Sequence, residues 1–163
     1  MVSKESLELH ALNLGKLLGN LQMLEFLARM AISKLNSRES ERVISQLPRI
    51  KSGDLIEINI FTNKDDLTQV LEKYNKCAPL EFKIDIKPIV TLRDALAHGR
   101  TFGFGSQKYL RLLKFNRKAE NDRVEVTIAV DMSPDWFDEQ NNSLQICLEK
   151  ARLSIGYLKA EIN

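Results

Sequence analysis

The residue types best suited to chemistry are gathered in one short stretch, Ile89-Val-Thr-Leu-Arg-Asp-Ala-Leu-Ala-His-Gly-Arg100, which holds one of the chain's two histidines. An imidazole with a pKa near ~6.5 exchanges protons at neutral pH. A guanidinium is planar, always charged and matched to phosphate oxygens. Together they supply what metal-free cleavage of RNA requires. The 2′-hydroxyl must lose a proton, the leaving oxygen must gain one, and negative charge building on phosphorus must be offset. Asp94 precedes His98 by four residues, on the same helical face, where it can orient the ring. Arg93 and His98 are separated by about 140° around a helix and do not share a face. Both serve one site only if it lies across the helix end, or if two copies of the helix meet. Two plainer readings stand beside this one. His98 is then a helix-terminal histidine that complements the dipole, and Arg93 an ion-pair partner of Asp94 or of the acidic segment downstream.

The string Leu92-Arg93-Asp94-Ala-Leu-Ala-His98-Gly99 resembles the signature of HEPN domains, in which an Arg, a polar residue, a short spacer and a His form the active motif. The likeness covers about a dozen residues. It implies a small helical bundle in which Arg93 and His98 are catalytic and Asp94 fills the polar position. It also implies a metal-independent endoribonuclease that uses no cofactor and works as a homodimer, a toxin or phage-defence enzyme with a neutralising partner protein. The family's dimeric site would place two Arg and two His around one cleft. Some members bind without cutting, so a non-catalytic module that binds nucleic acid, nucleotide or protein stays open as the alternative. Some toxin members carry a tyrosine shortly after the His. Here Gly99-Arg100-Thr101 follows, and the first tyrosine after it is Tyr109.

Charge is distributed unevenly around this stretch. Seven Lys/Arg fall between Arg93 and Lys118 against Asp94 alone, and eight acids follow between Ala119 and Glu149 against Arg123. Such blocks either steer a polyanion or pair with each other. On the first reading Arg100, Lys108, Arg111 and Lys114 are the substrate contacts.

The elements that must position these residues follow from periodicity and punctuation. Ser3 caps a long helix running to about Leu35, with Leu7, Ala11, Leu14, Leu18, Leu21, Leu24, Ala28 and Ala31 in a stripe. Leu9, Leu12, Leu17, Met23, Phe26, Leu27 and Met30 widen that stripe beyond one face, which predicts a central position or a dimer interface. Gly15 and Gly19, one turn apart, allow another helix to come close. The polar stretch from Asn36 predicts a short helix over 39–47. Ile56, Ile58 and Ile60 alternate with polar residues as a short strand does. A helix starts at Thr62 or Asn63 and ends before Ala78-Pro79. Phe82, Ile84 and Ile86 read as a second short strand or an extended link. Pro88 falls in the first turn of the helix that carries the motif, and Gly99 is its expected C-cap. Thr101–Ser106 reads as a Gly-rich loop without the strand-before, helix-after context of a phosphate cradle. Tyr109–Asn116 and Arg123–Val130 form a hairpin around a turn at 117–122, with Val124, Val126, Ile128 and Val130 on one face. Ser133-Pro134-Asp135 opens the last long helix, seamed by Leu144, Leu148, Ala151, Ile155 and Leu158. Trp136 and Phe137 anchor that helix to the core, and His10 is structural or exposed.

The fold class expected is therefore mainly α. It is a single HEPN-like domain over 1–163, a bundle of about four or five helices with a β-hairpin inserted before the last one. The 44% apolar and 28% charged composition is that of a globular chain. The start lacks a signal-peptide pattern and no apolar run of membrane-spanning length occurs, so a cytoplasmic protein is expected. Cys77 and Cys147 fit no metal spacing and read as reduced, buried thiols. No metal site is expected.

Overall fold

The computed structural model describes residues 3–34, 37–104 and 107–161, without the side chains of 37–41 and 158–161. Leu35, Asn36, Gly105, Ser106 and the Leu158 side chain lie outside the described residues. Among the described residues the chain forms five α-helices and three strands. They are α1 (Lys4–Lys34), α2 (Ser37–Gln46), α3 (Leu67–Cys77), α4 (Ile86–His98), β1 (Arg100–Phe102), β2 (Arg111–Glu120), β3 (Arg123–Asp131) and α5 (Pro134–Glu161). The chain is thus mainly helical, with a small antiparallel sheet ahead of the last long helix. No helix among the described residues is long and apolar enough to cross a membrane. Two compact units emerge, Met1–Leu21 with Lys87–Gln145 and Gln22–Ile86 with Ile146–Asn163.

The first unit carries the motif. Its helices start where side chains can replace missing backbone partners. The Ser6 amide donates to Ser3 Oγ at 3.1 Å, and the Trp136 amide donates to Ser133 Oγ at 3.2 Å. Pro134 and Asp135 complete the α5 start as expected. The core comprises Leu17, Leu21, Ile89, Leu92, Ala95, Leu112, Met132, Phe137 and Leu144. Asn141 is buried with them and fully engaged. It accepts from the Asn20 amide at 2.8 Å and donates to the Phe137 carbonyl at 2.9 Å.

The sheet departs from the expected hairpin in three ways. Thr101 and Phe102, expected within the Gly-rich loop, join Arg100 in a strand that pairs antiparallel with Arg111–Leu113 and makes a third strand. The turn is shorter than 117–122. Only Asn121 and Asp122 link the strands, with φ of 50° and 59°. Positive φ at both positions matches a two-residue turn to the strand twist, and Asn and Asp tolerate it better than most residues. Finally, the four apolar residues of β3 do not share a face. Lys114 opposes Ile128 but Phe115 opposes Val126, leaving Thr127 as an extra residue whose hydroxyl donates to the Lys114 carbonyl at 3.1 Å. Such a bulge reverses the alternation. Ile128 and Val130 are half-buried, whereas Val124 and Val126 are exposed.

The second unit packs Leu24, Ala28 and Ala31 of α1 with Leu67, Val70, Leu71 and Tyr74 of α3, Ile84, and Leu148 and Ala151 of α5. The helix expected from Thr62 or Asn63 begins later, at Leu67. Asp66 and Gln69 form a capping box there, with bonds of 2.9 and 3.0 Å, while Asn59 and Thr62 are held in a turn. No strand forms over 56–60, where Ile58 is 87% exposed. Phe82 to Ile86 holds the end of a 3₁₀ turn and a short link whose Ile84 backbone is bracketed by the Asn75 amide. The one buried cation of this unit, among the described residues, is Arg29. It donates to Glu25, to the Ile60 and Asp65 carbonyls and to Asn63. Cys77 and Cys147 are free thiols, half-buried where full burial was expected. Burial pushes both thiols above their ordinary range, away from the reactive thiolate.

Candidate functional site

Three of the motif residues come from the last two turns of α4 and one further cation comes from β2. Asp94 is the centre. Arg93 Nη1 lies 3.3 Å from Asp94 Oδ1, His98 Nε2 lies 3.9 Å from the same oxygen, and Lys114 Nζ lies 3.2 Å from Oδ2. The difficulty posed by the angular offset of Arg93 and His98 is thereby eased within one chain. A long Arg side chain swings back to its neighbour's carboxylate while the histidine reaches it from one turn on. Arg93 and His98 keep 45% and 53% of their side chains exposed. The Asp94–His98 distance is that of an ion pair rather than a hydrogen bond, so Asp94 flanks the ring without fixing it. Its carboxyl is held below its ordinary pKa. The Lys114 hydrogen bond is the largest cause, partial burial opposes it, and the charges of Lys114 and His98 and the Arg93 bond add to it.

Gly99 sets how closely helix and sheet meet. Its amide donates to the Ala95 carbonyl at 2.8 Å, so it does end the helix. It does not take the left-handed backbone of a helix-capping glycine. Space demands the residue instead. A Cβ at this position would overlap the Ala95 carbonyl oxygen and stand 2.6 Å from Leu112 Cδ1 and 3.1 Å from the Leu113 carbonyl oxygen. The absence of a side chain lets β2 lie against the end of α4, which is what brings Lys114 to Asp94.

The four expected substrate contacts are not brought together as one group. Lys114 belongs to the Asp94 cluster. Arg111 is paired with Asp131 at 2.9 Å, so part of the basic block is neutralised by part of the acidic one. The Arg100 guanidinium lies 5.5 Å from the centroid of Phe115, and Lys108 Nζ lies 5.1 Å from that of Tyr109. Among the described residues neither Arg100 nor Lys108 has a carboxylate within ion-pair distance. Sequence reasoning passed over the aromatic partners Phe102, Phe104 and Phe115. The interleaving of Arg100-Thr-Phe-Gly-Phe104 and Lys114-Phe115 was the signal available for them.

Other residues singled out from the sequence have structural surroundings. His10 packs edge-on against Phe137, with ring centroids 5.5 Å apart, and its Nδ1 is buried without a hydrogen-bond partner. Burial lowers its pKa. Phe137 is buried as expected, while Trp136 is only half-buried. It lines an open groove of about 370 Å³ with Leu92, Ala95, Leu112, Ile128 and Val130. Among the described residues no group of three His, Cys, Asp or Glu side chains is placed to hold a metal ion. No protein-family model matches this chain, and none of the curated proteins or solved structures compared with it matches either.

Proposed function

We propose that the chain is a metal-independent endoribonuclease of the HEPN kind, with Arg93 and His98 as its reacting groups. The observation that carries this reading is the gathering of Arg93 and His98 around one carboxylate at an open helix end. His98 takes the proton of a ribose 2′-hydroxyl, whose oxygen attacks the adjacent phosphorus. The bond from phosphorus to the 5′-oxygen breaks, that oxygen gains a proton, and a 2′,3′-cyclic phosphate is left. Arg93 and Lys114 offset the charge on the phosphorane oxygens. Asp94 holds the cations at the helix end.

The cluster holds one histidine, which suits one of the two proton transfers, and a second copy of the chain would supply the other. The outward face of α1 supports a homodimer. Leu7, Leu9, Leu12 and Leu18 are exposed there, and Gly15 and Gly19 have open space where a side chain would stand. The activity fits a cytoplasmic toxin or phage-defence enzyme held in check by a neutralising partner protein. The second reading, a module that binds nucleic acid without cutting it, draws on the ion pairs that already engage Arg93 and Lys114.

The test is RNA cleavage in EDTA by wild type, His98→Ala and Arg93→Ala, each shown to be folded. Loss of roughly 10²- to 10⁴-fold in both variants, with 2′,3′-cyclic ends from wild type, is expected. Equal cleavage by all three would sink the assignment of the site. Salt-dependent RNA binding without cleavage by any of them would favour the second reading.

A further inference from the structure

The outer face of the sheet, opposite α4, is unlike the rest of the surface. Register and alternation divide the strands into two faces. Thr101, Leu112, Lys114, Ile128 and Val130 point one way, with Leu112 buried and Lys114 on Asp94. Arg100, Phe102, Arg111, Leu113, Phe115 and Val126 point the other way, and none of them is buried. The exposed Asp131 shares this face opposite Arg111, which pairs with it and leaves Arg100 as the face's unpaired cation among the described residues. Two aromatic groups lie on this face or directly beyond the end of β1. Phe102 and Phe104 lie with ring centroids 5.5 Å apart at 35°, and Phe104 is 72% exposed. The Arg100 guanidinium covers the Phe115 ring at 5.5 Å. This face begins at Arg100, two residues beyond His98.

We infer that this face is a stacking platform for the unpaired bases of single-stranded RNA. The inference rests on the ribonuclease reading for the identity of its ligand and extends it to a substrate class. A phenyl ring left 72% in water has not been placed there by core packing. An apolar protein partner would meet Arg100, a cation without a carboxylate of its own among the described residues. A polynucleotide meets both demands at once. Its bases stack on rings and on the guanidinium plane, and its phosphates answer the positive charge. A duplex hides its base faces and cannot use such a surface. The bulge at Thr127 contributes by turning Val126 toward Phe115 and widening the apolar part of this face.

The test measures binding apart from cleavage. In a His98→Ala background, the affinity for a fluorescent mixed-sequence single strand of RNA is compared with that for the same sequence as a duplex. Phe104→Ala is expected to weaken single-strand binding about tenfold or more, Phe104→Trp to retain it, and the duplex to bind at least about tenfold more weakly than the single strand. Phe104 is exposed enough that its loss leaves the fold intact. Phe115→Ala, checked for folding, should add a comparable loss. Binding that is indifferent to Phe104, or equal for single strand and duplex, would overturn the platform, as would failure to bind the single strand at all. The two proposals fail separately. Wild-type cleavage in EDTA with no dependence of binding on Phe104 removes the platform and leaves the ribonuclease. Phe104-dependent binding without wild-type cleavage removes the ribonuclease and leaves the platform.

Discussion

Arg29 and Arg93 each sit on a helix with an acid within one turn, Glu25 four residues before Arg29 and Asp94 next to Arg93, yet the protein treats them differently. Arg29 is 7% exposed and donates to Glu25 at 3.0 and 2.8 Å, to Asn63 at 2.7 Å, to the Asp65 carbonyl at 2.8 Å and to the Ile60 carbonyl. Its guanidinium organises the irregular stretch 60–65, which has no helix or strand of its own. Arg93 makes one bond of 3.3 Å to Asp94 and leaves the rest of its fork facing outward. A saturated, buried guanidinium is a structural part. An exposed one with a single long bond can be given to a ligand, because its competing partner is easily displaced. The difference is why the proposed ribonuclease reading draws on the Asp94 cluster rather than on the more elaborate Arg29 network.

The sharpest way to break this comparison is to remove each arginine in turn. Arg29→Ala strands the Ile60 and Asp65 carbonyls and leaves the partly buried Glu25 without its cation, so a loss of about 3–5 kcal/mol in unfolding free energy is expected. Arg93→Ala should change stability by no more than about 0.5 kcal/mol while abolishing any cleavage that wild type performs. Urea unfolding of both variants reads the first quantity, and the EDTA assay reads the second. Equal destabilisation would mean that Arg93 is as structural as Arg29.

A smaller effect is expected beneath the exposed cluster. Gly99→Ala places a methyl group against the Ala95 carbonyl and the Leu112 side chain, at a seam where backbone rather than a flexible chain end must give way. Overpacking of this kind costs about 1–3 kcal/mol. It also pushes β2 from the end of α4, which should lower activity through displacement of Lys114 although no reacting group has changed. Thermal unfolding that matched wild type would show that the seam is looser than described.

How much of this was legible in the sequence depends on how local the signal is. The starts of α1 and α5 were readable because Ser3 and Ser133 cap within three residues. The Asp94–His98 neighbourhood was readable because it spans one helical turn. The start of α3 was misread because Thr62 and Asn63, good cap residues in isolation, are engaged by a preceding turn. The strand expected over 56–60 fails for lack of a pairing partner, which alternation alone cannot reveal. The bulge at Thr127, the third strand and the Lys114–Asp94 pair all depend on cross-strand or helix-to-sheet contacts across roughly ten to twenty residues, and no periodicity encodes them. Gly99 was placed correctly as a helix end but for the wrong reason, since the crowding by Leu112 is visible only in three dimensions.

The finest test of the comparison is electrostatic. Asp94 and Asp65, one in each cluster, both have carboxyl pKa values below the ordinary range, with a lysine bond as the largest cause, Lys114 for Asp94 and Lys73 for Asp65. A carboxyl whose pKa is lower folded than unfolded adds stability above the unfolded value of about 3.9, and that stability is lost as pH falls through the folded value. Lys114→Met should therefore raise the Asp94 titration midpoint and flatten the acid limb of the stability curve below about pH 4, leaving the Asp65 midpoint where it was. Carbon-13 NMR titration of the side-chain carboxyls separates the two. The Asp94 shift should also shrink in high salt, as expected for a solvated cluster. An Asp94 midpoint that ignored Lys114 but moved with Arg93→Ala would reverse the order of its partners. Arg93 would then be the cation that Asp94 holds most firmly, and so the one least available to a phosphate.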